Sequence, residues 1–140
     1  MKQNIAITTD AVVFAQENNE IFLLVIQRRN PPDQGKWALP GGFLEENELL
    51  VEGCLRELKE ETGLVLSKIE KVGIYDAVYR DPRGRTITVA YTSLLQERLP
   101  IEANDDAAQT EWVSVNNLKS LAFDHSEIIE DALKKMNIIL

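Results

Sequence analysis

The chain opens on two dense apolar runs, residues 5–15 and 21–28, which predict β-strands joined by a turn at Asn18-Asn19. A shorter stretch, residues 37–39, predicts a brief strand running into Pro40-Gly41-Gly42. The period then changes. From about residue 49 to residue 62 the apolar positions fall at helical spacing, with Val51, Cys54, Leu55 and Leu58 on one stripe. Gly63 follows, at the place after a helix C-terminus where the left-handed conformation is common. Residues 65–74 and 87–95 return to strand character, with an Asp81-Pro82-Arg83-Gly84 turn between extended segments, and residues 112–115 form a short strand candidate. Residues 126–135 predict a closing helix: Ile128, Ile129, Ala132, Leu133 and Met136 share a stripe, and Asp124 or Ser126 is available as N-cap. No internal repeat is visible. Residues 97–111 make a long connection, either a binding loop whose acids reach a site or a plain surface excursion.

The polar side of the helix at residues 49–62 is poorly explained by stability. At about 100° per residue, Glu57, Glu60 and Glu61 fall on one arc. Glu57 and Glu61 are like charges at i,i+4, costing about 0.2–0.5 kcal/mol, and all three stand in the last turns, where the helix dipole favours cations. A divalent cation supplies the missing reason, because hard Mg²⁺ or Mn²⁺ wants clustered carboxylate oxygens.

The spacing G-x5-E-x7-R-E-U-x-E-E-x-G-U, with U a bulky aliphatic residue, is met by Gly42, Glu48, Arg56, Glu57, Leu58, Glu60, Glu61, Gly63 and Leu64. This resembles the Nudix box, and the similarity continues into GKWALPGGF before it and YRDPRGRTITVAY and LAFDHSEII after it. The resemblance implies an α/β (α+β) fold, a mixed β-sheet sandwiched between α-helices. It also implies metal-dependent hydrolysis of a nucleoside diphosphate linked to another moiety. The cofactor implied is Mg²⁺, with Mn²⁺ as substitute, held by Glu57, Glu60, Glu61 and the main-chain carbonyl of Gly41. Arg56 is expected to orient the acids together with Glu48; its bland alternative is an exposed ion-pair ladder with Glu52 and Glu60, one turn away on either side.

The flanking segments are similar to ADP-ribose pyrophosphatase-like Nudix proteins and to Nudix-related regulators that sense ADP-ribose. Cleavage of ADP-ribose to AMP and ribose 5-phosphate is therefore the expected reaction. The alternatives are hydrolysis of nucleotide-sugars, dinucleotides or nucleoside triphosphates, or a non-catalytic nucleotide-sensing module. The regulators add a winged-helix domain for DNA, and only a few residues follow the last predicted helix here, which favours the enzyme. Relatives with a DDAA-E-x-x-W pattern often carry an acid where this chain has Gln109, so the general base is left open among Asp105, Asp106, Glu111 and a box glutamate.

Outside the box, Arg28 and Arg29 end a predicted strand, and their guanidinium forks suit phosphate as well as they suit a solvated strand end. Arg83 is a loop cation suited to substrate. Trp37 and Tyr79 are candidates to stack on a base, although aromatic residues beside strands are more often core. The single histidine, His125, reads as capping or packing, and Gly53 as room for a close loop crossing.

With 140 residues, 44% of them hydrophobic, the chain is expected to form one domain over residues 1–140. A net charge of −8 argues against a large nucleic-acid footprint and leaves a small anionic nucleotide substrate open, provided metal neutralises it locally. Cys54 is the only cysteine, so no intramolecular disulfide forms and a buried inert thiol is expected. No segment reads as a leader or membrane span, which makes the cytoplasm the default expectation. No membrane partner is expected, and a homodimer is allowed.

Overall fold

The computed structural model describes residues 1–104, 107–118 and 120–138. Strands β1 (Ala6–Glu17) and β2 (Glu20–Arg28) form the expected hairpin. Its turn residues Asn18 and Asn19 have φ of 56° and 61°, the left-handed pair that a two-residue hairpin turn needs and that asparagine tolerates best among residues with a side chain. Two very short strands follow, β3 (Trp37–Ala38) and β4 (Gly41–Phe43), the second lacking the side chains that would have marked it as a strand. Helix α1 (Leu50–Thr62) starts with the Glu52 carboxylate accepting the Leu49 N–H at 2.7 Å and stops at Gly63, whose φ of 75° ends the helix while its N–H bonds the Lys59 carbonyl.

The next strand, β5 (Glu70–Tyr75), begins five residues later than the pattern predicts; residues 65–69 are irregular because Leu64 and Leu66 already pack under α1 and no partner strand lies beside them. Strand β6 (Thr86–Leu95) appears as expected, whereas β7 (Ala107–Ser114) is far longer than the predicted residues 112–115. Pairing with β2 along residues 107–114 imposes the extended form on a polar stretch that has no apolar alternation of its own. The long connection is correspondingly shorter than expected. Its described part does not stand off the surface: Glu102 and Asn104 donate N–H bonds to the carbonyls of Thr62 and Glu61, closing the end of α1. Helix α2 (His125–Lys135) carries the predicted stripe, with Ile128, Ile129 and Ala132 buried. Asp124 sits at its N-cap but makes no side-chain cap bond, because its carboxylate is engaged by Arg80.

The strands make one mixed sheet ordered β3-β2-β1-β6-β5, with β1 and β6 parallel over ten residue pairs and the other pairings antiparallel. Alternate residues feed two cores. Val12, Phe14, Leu23, Val25 and Ala90 pack under α2, while Ala11, Val13, Leu24, Val89 and Tyr91 pack with Cys54 and Leu58 under α1. Fully burying a Leu, Ile or Phe side chain is worth roughly 1.5–3 kcal/mol, so Phe14, Leu23, Leu24, Leu58 and Ile128 anchor both layers. The expected sandwich of a mixed sheet between helices is the fold observed.

The sheet also splits. β1 pairs with β2 only from Phe14 to Glu17; nearer its start, Thr8 to Asp10 pair with β4, while β2 has turned to β3 through Ile26 and Gln27. The gap where β1 and β2 part is bridged by Leu39 and Pro40 between β3 and β4. That gap opens the cleft.

Candidate active site

The cleft measures about 430 Å³, and its lining includes Asp10 of β1, Ile26 and Arg28 of β2, Gly41 to Phe43 of β4, Glu57 and Glu61 of α1, Arg80, Asp81 and Arg83 of the β5–β6 loop, and Phe123 and His125 around the start of α2. One side is set by α1. Glu61, 5% exposed, accepts the Gly41 N–H at 2.7 Å, and Glu57 lies so close to Gly42 that a Cβ on that glycine would stand 2.6 Å from its carboxylate carbon. Both glycines are needed for close approach: a Cβ on Gly41 would meet the Thr9 carbonyl at 2.1 Å.

Arg56 ties the acids together. Its Nε and Nη2 hold Glu48 at 3.0 and 2.8 Å, Nη1 donates to Glu57 at 2.9 Å and Glu60 at 3.1 Å, and Nη2 also reaches the Phe43 carbonyl at 3.1 Å. The exposed ladder with Glu52 is not formed; Glu52 caps the helix instead. The guanidinium is shared by Glu48, Glu57 and Glu60, and its hydrogen bonds to Glu48 and Glu57 raise the pKa of Arg56. The same bond pulls Glu48 from its ordinary 4.5 to about 2. Gly53 leaves room for this arrangement, since a Cβ there would lie 2.9 Å from Glu48 and from Leu44.

Cations and aromatic rings line the rest. Arg83 pairs with Asp81 at 2.8 Å and lies over the Phe43 ring at 5.2 Å and the Phe123 ring at 5.7 Å; Arg28 lies over Phe123 at 5.0 Å. Burial disfavours the charge of Asp81, but its bonds to Arg83 outweigh this and hold its carboxyl below the usual range. Arg80 makes a two-pronged bond to Asp124 at 2.9 and 2.6 Å with its side chain only 4% exposed. Burial lowers the pKa of Arg28, reinforced by the nearby charge of Arg83.

At the back of the cleft His125 is buried. Its Nδ1 accepts the Leu39 N–H at 3.0 Å, which places the ring proton on Nε2, 3.5 Å from Asp10 Oδ1. Asp10 Oδ2 in turn accepts the Thr88 hydroxyl at 2.7 Å. Burial pushes the imidazole pKa down and keeps the ring neutral.

The structure brings Glu57, Glu61, Gly41, Arg28, Arg29 and Arg83 to one cleft, with Arg56 and Glu48 behind the acids. Arg29 donates to the Ala107 carbonyl at 3.0 Å. Glu60 does not line the cleft and keeps a side chain 42% exposed beside Arg56. Tyr79 also stands outside it, 93% exposed, while its neighbour Arg80 turns in. Trp37 packs against the core under α2. Gln109 faces Gln27 across β7 and β2, Glu111 lines a small crevice elsewhere, and Asp105 and Asp106 lie outside the described residues. Sequence reasoning missed Asp10, Arg80, Asp81 and Phe123 as cleft residues; the YRDPRGR and LAFDHSEII segments held the signals for the last three. Cys54 is buried as expected, and burial pushes its thiol up to about 12.

The donor set suits a hard divalent cation. Two carboxylates converge on a backbone turn that has no side chains to block an ion, and such cations bind through one or two carboxylates together with water and phosphate oxygens. Among the described residues no three acidic, histidine or cysteine side chains already form a closed ligand cage.

A split mixed sheet between two helices, with an arginine-clamped acidic helix set against a glycine turn, defines the Nudix class of α/β proteins. The chain belongs to that family: the NUDIX domain model matches residues 6–132. It is 40% identical to the ADP-ribose pyrophosphatase of Methanocaldococcus jannaschii over 94% of this chain and 75% of that protein. It is 35% identical, over 93% of its length, to the ADPR responsive transcriptional repressor NtrR of Acinetobacter baylyi, of which it spans 54%. The NUDIX domain of Shewanella oneidensis NrtR, solved in complex with ADP ribose, superposes with a TM-score of 0.91 at 33% identity, covering 96% of this chain and 90% of that one. Nudix hydrolases generally need a divalent metal. Among the described residues no helix is long and apolar enough to cross a membrane.

Proposed function

We propose that this chain is a Mg²⁺-dependent Nudix hydrolase that cuts ADP-ribose between its phosphates to give AMP and ribose 5-phosphate. The observation that carries this reading is the meeting of Glu57 and Glu61 with Arg28, Arg80 and Arg83 around one cleft, in a chain 40% identical to an ADP-ribose pyrophosphatase. Glu57, Glu61 and the Gly41 carbonyl would hold the metal, while Glu60 stays outside the cleft on Arg56. Bound there, a divalent cation acts as a Lewis acid toward the phosphoryl oxygens and lowers the pKa of water. Arg56 and Glu48 keep the acids in register. Arg28, Arg29 and Arg83 orient the diphosphate and the moiety beyond it, with Phe43 and Phe123 as apolar walls for the uncharged part of the substrate. Residues 1–140 act as one domain in this reading, supported by the single sheet shared between both cores.

The second reading is a nucleotide sensor that binds ADP-ribose without cutting it, favoured by the 35% identity to an ADPR responsive repressor. One experiment separates the two. Purified protein with Mg²⁺ or Mn²⁺ is offered ADP-ribose, nucleotide-sugars, dinucleotides and nucleoside triphosphates, and the products are identified. The expected result is AMP and ribose 5-phosphate, abolished by chelator. Binding of ADP-ribose with no product supports the sensor. Another substrate ahead by more than about tenfold in kcat/KM, about 1.4 kcal/mol of transition-state discrimination, overturns the choice of ADP-ribose.

A further inference from the structure

Three consecutive residues at the start of α2 reach three different walls of the cleft. The Phe123 ring meets Arg28 and Arg83, the Asp124 carboxylate holds Arg80, and His125 accepts the Leu39 N–H. The third contact has no evident part in binding substrate. His125 is buried at the back of the cleft, and its other nitrogen faces Asp10, which Thr88 holds from β6. The chain Thr88–Asp10–His125–Leu39 therefore crosses from the middle of the sheet to the link between β3 and β4.

That link bears on the proposed metal site. Proline has no N–H, so on the turn Leu39-Pro40-Gly41 only residues 39 and 41 can be anchored as donors. Glu61 takes the Gly41 N–H and His125 takes the Leu39 N–H, while the Pro40 carbonyl accepts from Ala11 at 2.8 Å. Glu61 is also a proposed metal ligand, so its oxygens would have to serve both the ion and that amide. Of the two N–H anchors of the turn, the Leu39 one does not depend on the metal.

We infer that His125 is a positioning residue: by accepting the Leu39 N–H it fixes where the Gly41 N–H and carbonyl stand relative to Glu57 and Glu61. The inference rests on the proposed reading of the cleft as a metal-dependent hydrolase. The role assigned to His125 needs no contact with metal or substrate. It acts through the backbone, as partners behind metal ligands do, and loss of such a partner typically costs about 10- to 100-fold in metal affinity or activity.

The test compares His125→Phe, which keeps the ring volume and removes the acceptor, with His125→Asn, whose amide oxygen reaches the place of Nδ1. Mn²⁺ affinity is measured on substrate-free protein by electron paramagnetic resonance, alongside kcat, KM and hydrogen exchange of the Leu39 amide. His125→Phe is expected to weaken Mn²⁺ binding and kcat about 10- to 100-fold, with KM little changed and the Leu39 amide exchanging faster; His125→Asn should recover most of the loss. A folded His125→Phe protein with wild-type Mn²⁺ affinity, or a His125→Asn protein as impaired as His125→Phe, overturns the inference. If His125→Phe does not fold, His125→Gln, which stays polar but moves the acceptor off Leu39, is judged by the same criteria. Wild-type protein that binds Mn²⁺ yet cuts no nucleotide defeats the hydrolase reading alone and leaves positioning to be decided by the affinities. Wild-type protein with no Mn²⁺ affinity defeats both.

Discussion

The two sides of the cleft are built in opposite ways. Its acidic side is a single helix, α1, where Arg56, Glu57, Glu60 and Glu61 lie within two turns and one guanidinium balances the carboxylates. Its cationic side joins a loop at residues 80–83 to the start of a helix more than forty residues further on, through the Arg80–Asp124 pair and the Phe123 ring. The first side gets its geometry from helical repeat and keeps it wherever the helix forms. The second side exists only when the fold brings its two segments together. Changes on the acidic side should therefore remove chemistry and spare the fold, while changes on the cationic side should cost stability together with substrate binding.

The largest effect expected is on the acidic side. Glu61→Gln keeps an oxygen to accept the Gly41 N–H but halves the charge available to a cation, so kcat should fall about 10²–10³-fold, the scale for losing one group that stabilises transition-state charge. The melting temperature of the metal-free protein should stay near wild type. A collapse in stability with activity per folded molecule unchanged would erase the distinction between the two sides.

Arg80→Ala tests the opposite side. It leaves Asp124 partly buried without its partner, and breaking such a pair costs about 3 kcal/mol, the low end of the usual range because Asp124 retains some solvent contact. Urea unfolding should show this loss, and KM for the nucleotide should rise as the loop carrying Arg83 loosens. Wild-type stability in this variant would mean that the cationic side is not held together as described.

Arg56→Lys sharpens the account of the acidic side, since an ammonium cannot reproduce a fork that serves Glu48, Glu57, Glu60 and the Phe43 carbonyl at once. Turnover should drop about 10- to 100-fold with a smaller change in stability, measured as kcat and melting temperature on the same preparation. Equal turnover would reduce Arg56 to a counter-charge.

The smallest effect concerns acid. Glu48 titrates near 2 in the folded protein and near its ordinary 4.5 when unfolded, so the stability it contributes is fully present above 4.5 and is lost as pH falls toward 2. Glu48→Gln should flatten the fall of melting temperature between pH 5 and pH 2, a window set by those two values. An unchanged acid profile would show that the Arg56 bond does not set the Glu48 pKa.

What was legible in the sequence follows the same division. The acids, Arg56 and the Gly63 stop sit inside one helix with a regular period, so their shared face is a property of the local chain, and the 39–42 region showed as a glycine turn without revealing its strand. The irregular loop before β6 has no period to fix phase. Adjacent residues there take opposite fates: Tyr79 stands 93% exposed, and the Arg80 side chain, at 4%, turns inward to Asp124. β7 was seen only in its apolar end, because pairing with β2 rather than its own pattern makes the rest extended.

By itself the sequence determined α1 and its carboxylate face, which follow from spacing along a few helical turns, while the resemblance to the Nudix box implied the roles of Arg56, Glu48 and Gly41. Only the tertiary structure decided that β1 and β2 part to open a cleft, and that Asp10, Arg80, Asp81, Phe123 and His125 line it. His125 bonds Leu39 across 86 positions of chain, and Thr88 bonds Asp10 across 78. Contacts at that range are set by sheet order and by which face of each element is buried, and no local periodicity carries that information.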